Sequence, residues 1–228
     1  LLVFSTIQPV MFVLLFAYVF GGAIDIPNVK YIDFLMPGIF VQTVLFGSTQ
    51  TGVGLADDLS KGMIDRFRSL PMARSAVLAG RTLSDTVRNL FVVLLMTGVG
   101  SLIGFRFHAG IPAAIGAMLL VVLFGFAFSW ISANIGLAVR DTETAQTAGF
   151  IWLFPLVFAS SIFVPVQTMP GWLQTIARAN PISSAVNAAR ALCLGGPTLN
   201  PVIHALLWAL AISLVFVPLA VRRYRRMT

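Results

Sequence analysis

An all-α polytopic membrane protein is predicted by three observations. Only 10% of the 228 residues are charged while 58% are hydrophobic, against roughly 25% charged in soluble domains. Uncharged apolar stretches, long enough as helices to cross a hydrocarbon core about 30 Å thick, alternate with short polar links. Lysine and arginine gather on alternate links rather than scattering. Mean hydropathy is +0.93, and a water-soluble chain of this composition would have an apolar surface nearly everywhere. Runs of this length suit helices, which satisfy their own backbone polar groups, rather than the alternating strands of a membrane barrel. The expected architecture is one domain over residues 1–228. It has six transmembrane helices, a cytoplasmic helix between the second and third spans, and a re-entrant outer-leaflet helical hairpin before the sixth. No internal repeat or low-complexity segment divides it.

The elements follow from the charges, because a charge at the bilayer centre costs about 2.5–3.5 kcal/mol. Residues 1–24 form the first span, with Pro9 expected to kink it. This stretch is too long for a signal-peptide core and ends without a small-residue cleavage pattern. The sequence opens on Leu1 rather than Met, and a native N-terminus, with any leading cytoplasmic helix or signal it carries, is expected to lie upstream. Asp25–Asp33 is a polar link, and 34–56 the second span. Asp57–Arg88 is rich in charge. The third span is the uncharged stretch Asn89–Phe105, whose helix begins near Thr82, so it is drawn as 82–105. Arg106–Gly110 turns into the fourth span, 111–137. Arg140–Glu143 is a polar loop before the fifth, 145–164. Residues 165–200 are less apolar and carry prolines at 165, 170, 181 and 197. The sixth span, 201–221, is followed by Arg222–Arg226, read as RRYRR.

Orientation follows from the basic residues. Eleven of the fifteen fall on one side: Lys61, Arg66, Arg68, Arg74, Arg81, Arg88, Arg140, Arg222, Arg223, Arg225 and Arg226. The other side holds four: Lys30, Arg106, Arg178 and Arg190. The richer side is expected to be cytoplasmic, with both termini inside. This topology accounts for the net charge of +7 without a nucleic-acid partner.

Asp57–Pro71, read as DDLSKGMIDRFRSLP, is the one charge-dense stretch. On a helix, Leu59, Met63, Phe67 and Leu70 share a face, and Asp57/Lys61 and Lys61/Asp65 are i,i+4 pairs. Pro71 stops the helix. Periodicity alone fits two roles, docking against a partner protein or resting on lipid headgroups. Arg81 and Asp85, also four apart, are expected to anchor the third span at the interface. In 165–200, Met169-Pro170-Gly171-Trp172 reads as a turn into a helix. Pro181 opens another helix that Gly195-Gly196 ends. Trp172 suits an interfacial ring. Two short helices dipping back into the outer leaflet are expected, with a surface hairpin as the alternative. Gly100/Gly104 and Gly125/Ser129/Ala133 are small-residue stripes that permit close helix approach, expected within the bundle, with a subunit contact as the alternative. Gln42, Gln50 and Asn134 are polar groups in or near spans, able to bond a neighbouring helix or to meet a substrate.

Several chemistries lack their residues. There is no phosphate loop, and Lys30 and Lys61 are the only lysines. His108 and His204 are far apart, and the single Cys193 excludes an intrachain disulfide. No catalytic, cofactor-binding or metal-ligating residue is expected. None of the eight acidic residues is expected mid-span, which disfavours a proton-driven carrier.

The order of parts resembles the permease subunit of a type-2 ATP-binding-cassette exporter, in the bacterial daunorubicin-resistance group. Two segments carry the likeness. One is Asp65–Pro71 followed by Arg74, Leu78, Arg81 and Asp85. The other runs through Leu153, Leu156, Ala159, Ser160 and Ile162, then Met169-Pro170, Pro181-Ile182, Ser184 and Arg190. The resemblance implies that two permease copies, or two related permeases, pair in a bacterial cytoplasmic membrane. Each would bind an ATPase subunit that holds the ATP and Mg, this chain binding neither. Asp57–Pro71 would be the coupling helix, contacting that ATPase through Leu59, Met63, Arg66, Phe67, Leu70 and Pro71. Gln42, Phe46, Gln50, Phe154 and Phe158 would line the substrate path. Pro170, Trp172, Pro181, Ser184 and Arg190 would build the outer gate. The expected cargo is an amphipathic drug or lipid, with a polysaccharide or lipid-linked polar substrate as the alternative. An ion- or proton-coupled carrier and a membrane enzyme acting on lipid are the readings from other classes.

Overall fold

The computed structural model of this protein describes residues 2–20, 29–62, 74–139 and 141–227. Eight α-helices, and no strands, are present among the described residues. They are α1 (Leu2–Leu15), α2 (Tyr31–Ser60), α3 (Arg74–Ile103), α4 (Ile111–Ala138), α5 (Thr142–Phe158), α6 (Gly171–Ala179), α7 (Pro181–Leu194) and α8 (Leu199–Met227). A π-helical turn, Phe16–Phe20, follows α1, and a 3-10 turn, Val166–Thr168, precedes α6.

The bundle is organised around α2. Every described position from Tyr31 to Leu45 is buried except Ile32, which is partly so. Its apolar side chains Leu35, Met36, Ile39, Phe40, Val44 and Leu45 form the centre of one core with Val93 and Met96 of α3 and Phe124 and Phe128 of α4. Leu153 of α5 and Val186 of α7 complete it. Glycines permit the close crossings. A Cβ on Gly136 of α4 would strike the backbone of Gly52, and one on Gly52 would strike the Ser132 carbonyl. A Cβ on Gly125 would lie 2.8 Å from the Cβ of Val44, and one on Gly100 of α3 would strike Met36. The Gly125 stripe thus faces α2, whereas Gly104 (φ 113°) meets nothing and ends α3.

Four helical stretches are long and apolar enough to cross a membrane: Tyr31–Ser60, Leu78–Ile103, Ile111–Ala138 and Leu199–Arg226. The segments expected as the first and fifth spans are shorter helices. Pro9–Val19 is a shorter apolar stretch. α5, with Pro155 inside it, stops at Phe158. Ala159–Pro165 is therefore non-helical, where the sequence suggested helix as far as Val164. α2 begins at Tyr31, so Asp33, read as part of a link, lies in its first turn and is buried. At its other end Gly62, with φ 64°, accepts the left-handed turn that closes a helix, and its N–H reaches the Leu59 carbonyl at 3.1 Å. Asp57–Ser60 are thus the last turn of α2. The single helix expected over 57–71 does not form across Gly62, and Met63, Arg66, Phe67, Leu70 and Pro71 lie outside the described residues.

Candidate functional site

Three groups of side chains converge along α2, at its end, its middle and its start. At the end, α2 and α3 run antiparallel. Asp85, near the start of the membrane-length stretch Leu78–Ile103 of α3, is 5% exposed. Its carboxylate accepts from Thr51 Oγ1 at 2.6 Å and forms an ion pair with Arg88 Nη1 at 3.0 Å. Arg81 Nε lies 3.7 Å from it, and Arg81 Nη1 reaches Asp58 Oδ2 at 3.4 Å. Arg88 Nη2 donates to the Gly47 carbonyl at 3.0 Å. Gly54 has no Cβ because the Arg81 guanidinium occupies that space, and Gly47 likewise admits the amide of Asn89. The pair Arg81/Asp85 therefore bolts two helices together rather than merely anchoring one. Beside it, Leu59 packs on a second cluster of Leu55, Leu78, Trp130, Leu137 and Tyr224. The Asp57/Lys61 pair forms at 2.7 Å on the surface. Arg223 of α8 donates to the Asn134 carbonyl at 2.7 Å, and Asn134 Nδ2 donates to Phe216 at 2.9 Å. Asn134 is thus committed to the joint between α4 and α8.

In the middle, rings form a continuous line. Phe46 of α2 meets Phe154 at 5.3 Å between centroids and Phe150 at 5.8 Å. Phe154 stacks with Phe158 at 5.8 Å, and Phe158 with Phe163 at 5.5 Å. Phe163 then stacks with Phe16 at 4.5 Å, which leads to Phe12 of α1 at 5.9 Å. Phe154 is 41% and Phe158 50% exposed, whereas Phe163 is buried, so the line is open at Phe154 and Phe158 and runs into the core at Phe163. Of the five residues expected on a substrate path, Phe46, Phe154 and Phe158 are brought together here. Gln42 is buried one turn above Phe46, and its Oε1 has no hydrogen-bond partner. Gln50 is exposed one turn below. Phe150 was not anticipated, although its i,i+4,i+8 spacing with Phe154 and Phe158 carried the signal.

At the start of α2 the chain is tied by polar side chains. Arg190 of α7 donates through Nε to the Phe34 carbonyl at 3.1 Å and through Nη2 to the Ser161 carbonyl at 2.9 Å. Its guanidinium carbon sits 3.6 Å from the centre of the Phe34 ring, a cation–π contact. Asn180 caps α7 by accepting from Ile182 N at 2.9 Å, while its amide donates to the Leu156 and Ala159 carbonyls that end α5, at 2.7 and 3.0 Å. Ser183 Oγ accepts from Ser161 N at 3.1 Å. A Cβ on Gly38 would lie 2.7 Å from the Ile162 carbonyl oxygen, so the non-helical segment lies directly on the α2 backbone. Tyr31 donates to the Phe163 carbonyl at 3.2 Å, and Asp33 accepts from Arg106 N at 3.1 Å. Arg190 is thus placed at the junction of three elements. Pro170 and Pro181 flank the starts of α6 and α7, and Trp172 is 69% exposed. Ser184 sits in the first turn, but it is Ser183 that bonds the neighbouring segment. Ser183 was expected in the first turn of this helix, but its partner and Asn180's role were not legible, because the groups they bond lie more than twenty residues away.

Charge segregates to match. Asp58, Arg81, Asp85, Arg88 and Arg223 lie at one end of the bundle, and Asp33, Arg106 and Arg190 at the other. At the α4–α5 turn Asp141 caps α5. Thr144 N–H, then its hydroxyl, hold the carboxyl below its usual range. Among the described residues no group of three or more His, Cys, Asp or Glu is placed to hold a metal ion.

The ABC-2 type transporter family matches residues 1–194. The chain is similar to the daunorubicin resistance ABC transporter permease protein DrrB1 of Streptomyces coeruleorubidus, 42% identical over 221 residues, covering 96% of this chain and 77% of that protein. It is also similar to a Mycobacterium tuberculosis protein named "Probable doxorubicin resistance ABC transporter permease protein DrrC", 29% identical over 224 residues, 97% of this chain and 80% of the other. The doxorubicin resistance ABC transporter permease protein DrrB of the same organism is 28% identical over 160 residues, 70% and 55% of the two chains. A buried central helix, apolar helices of membrane-crossing length and a family match over most of its length agree: this chain belongs to the ABC-2 type transporter family and is a membrane permease of that family.

Proposed function

We propose that this permease is the membrane-spanning subunit of an exporter that moves amphipathic drugs or lipids out of the cytoplasm or the inner leaflet. A separate ATP-binding-cassette ATPase, which holds ATP and Mg, drives it. The observation that carries the proposal is the aromatic line from Phe46 through Phe154 and Phe158 to Phe163 and Phe16. It offers flat apolar cargo a succession of stacking faces, each worth about 0.5–1.5 kcal/mol beyond burial. A path of many weak equivalent contacts binds enough to admit a molecule without holding it. Gln42, with its unpartnered Oε1 beside this line, adds one acceptor for a hydroxyl or amine. The relatives are named for daunorubicin and doxorubicin resistance, which supports a drug as cargo.

In this reading the chain crosses a bacterial cytoplasmic membrane six times, with both termini inside. α1 with its π-helical turn, and α5 with the segment after it, complete the six. α6 and α7 re-enter the outer leaflet, and Pro170, Trp172, Pro181, Ser184 and Arg190 frame the outer gate. Leu59, Met63, Arg66, Phe67, Leu70 and Pro71 meet the ATPase. A second permease copy or a paralogue completes the path. The test is reconstitution with the cognate ATPase in proteoliposomes. Daunorubicin should stimulate hydrolysis and accumulate on the far side, and Phe67→Asp should abolish export while the permease still inserts. Hydrolysis by the purified permease alone, or undiminished export by Phe67→Asp, overturns the proposal.

A further inference from the structure

The polar contacts between α2 and α3 form a single fitted surface. On α3, Arg81, Asp85, Arg88 and Asn89 fall at helical spacing on the face toward α2. Leu83, Val87, Phe91 and Leu94 are exposed on its other side. On α2, Gly47, Thr51, Gly54 and Asp58 fall on the matching face, two of them glycines whose missing Cβ atoms admit the α3 side chains. Asp58, Arg81, Asp85 and Arg88 balance in charge. Each bond belongs to one register: Thr51 to Asp85 at 2.6 Å, Arg88 to the Gly47 carbonyl at 3.0 Å, Arg81 to Asp58 at 3.4 Å. A slip of one helical turn, about 5.4 Å, would separate all of them.

Holding two helices together does not require this. Apolar residues of similar volume do it as well or better, because buried ions give up hydration. What charged, directional bonds add is a single allowed register. The clasp also has a telling position. It begins at Asp58, just before the point where α2 stops at Ser60, and α3 starts at Arg74. The chain between them holds most of the residues proposed to meet the ATPase. It ends at Gly47, the neighbour of Phe46 on the aromatic line.

We infer that Asp85, held by Thr51, Arg81 and Arg88, is a positioning residue for transport, fastening α2 to α3 so that a displacement entering at their joined ends reaches Phe46 undiminished. The inference rests on the reading that the 57–71 segment receives the push. Without the clasp the two helices shear, and hydrolysis continues while cargo does not move.

The experiment compares Asp85→Asn, Asp85→Glu and Thr51→Val in the full permease–ATPase complex in proteoliposomes, with daunorubicin as the probe. The readout is daunorubicin exported per ATP hydrolysed, with thermal stability of the complex measured alongside. Asp85→Asn should leave hydrolysis within about twofold and lower the export ratio about tenfold, in the range by which residues between coupled sites alter coupling. Asp85→Glu should restore most of the ratio. Thr51→Val, which removes one hydroxyl at nearly constant volume, should lower it by a smaller factor, and it decides the matter if Asp85→Asn does not insert. An export ratio unchanged in the inserted variants overturns the inference, as does a loss that merely tracks thermal stability and is not relieved by Asp85→Glu. Phe67→Asp in the same series keeps the two readings apart. If it leaves the ratio intact while Asp85→Asn lowers it, the clasp stands and the proposed entry point of the push fails.

Discussion

Replacing Arg190 by glutamine should open the junction at the start of α2, and the protein carries its own reporter of that event. Cys193 is the only cysteine and is fully buried. It lies three residues beyond Arg190 on α7, and its carbonyl is held by His108 N at 2.8 Å. Arg190 makes two bonds to backbone carbonyls, Phe34 and Ser161, that belong to different elements. Hydrogen bonds to a charged donor contribute about 1.5–3 kcal/mol each, and the stacking on Phe34 adds about 0.5–1 kcal/mol. Glutamine can keep one bond at most and none of the stacking. A net loss of about 3 kcal/mol in the local closing free energy raises the open population about a hundredfold. The assay is the labelling rate of Cys193 by a small maleimide in intact vesicles. Arg190→Gln should speed it by about two orders of magnitude. Arg190→Lys should fall between, since a single ammonium does not reproduce the planar fork that spans two carbonyls. A rate for Arg190→Gln within threefold of the native rate would refute the assignment of Arg190 as the tie.

Two further predictions concern packing and the α5 cap. Gly136→Ala should destabilise by about 1–3 kcal/mol, because the new methyl meets the Gly52 backbone, with the carbonyl carbon at 2.7 Å. Gly98→Ala on the exposed face of α3, where nothing lies within 4 Å, should be neutral or stabilising by up to about 1 kcal/mol. Thermal melts in one detergent decide between them. Asp141→Ala should fray the first turn of α5, read as faster amide exchange at Thr144. In the native protein the same fraying should appear with acid. The folded carboxyl is held below its ordinary range, so its capping contribution is complete above the unfolded value and is lost as pH falls through the lowered one.

Much of the helical framework was legible because hydrophobic runs and breaker residues are local properties. Pro181, Gly195 and Gly196 act through their own backbone angles and bound α7 where the sequence put its ends. The end of α5 was not legible in the same way. Pro155 sits in an apolar run that hydropathy alone extends to Val164, and the helix stops early because the Leu156 and Ala159 carbonyls are taken up by Asn180. Gly62 shows the converse error. A charge-based reading of 57–71 gave weight to side-chain periodicity and too little to a residue whose positive φ closes a helix. Asp85 was read as an i,i+4 partner of Arg81 near the membrane interface; its cross-helix bond to Thr51 was not legible, because that hydroxyl is brought near only once α2 and α3 fold back at their antiparallel register. Within the aromatic line, Phe46, Phe154 and Phe158 were recoverable by analogy. Phe150 needed only the four-residue spacing to be followed one step further.

The two halves of α2 differ in a way that bears on direction of transport. From Tyr31 to Leu45 it is enclosed, with the non-helical segment after α5 pressed on Gly38 and pinned through Arg190, Ser183 and Tyr31. From Phe46 onward one stripe is open: Phe46, Gln50, Val53 and Asp57 recur at helical spacing, and none of them is buried. The enclosed half is tied by side-chain bonds to the Phe34, Ser161 and Phe163 carbonyls and to the Ser161 N–H. The open half is fastened to α3 by a charged clasp on its other face, and so can be moved without being unpicked. On the proposed function, cargo would enter from the end where the basic residues gather, and opening the far end would be the step that the proposed ATPase drives. In that reading Arg190 resists opening and Asp85 passes on the force. Arg190→Gln is therefore expected to leak daunorubicin without ATP, whereas Asp85→Asn is expected to hydrolyse ATP without export. A single rigid pore would show neither pattern.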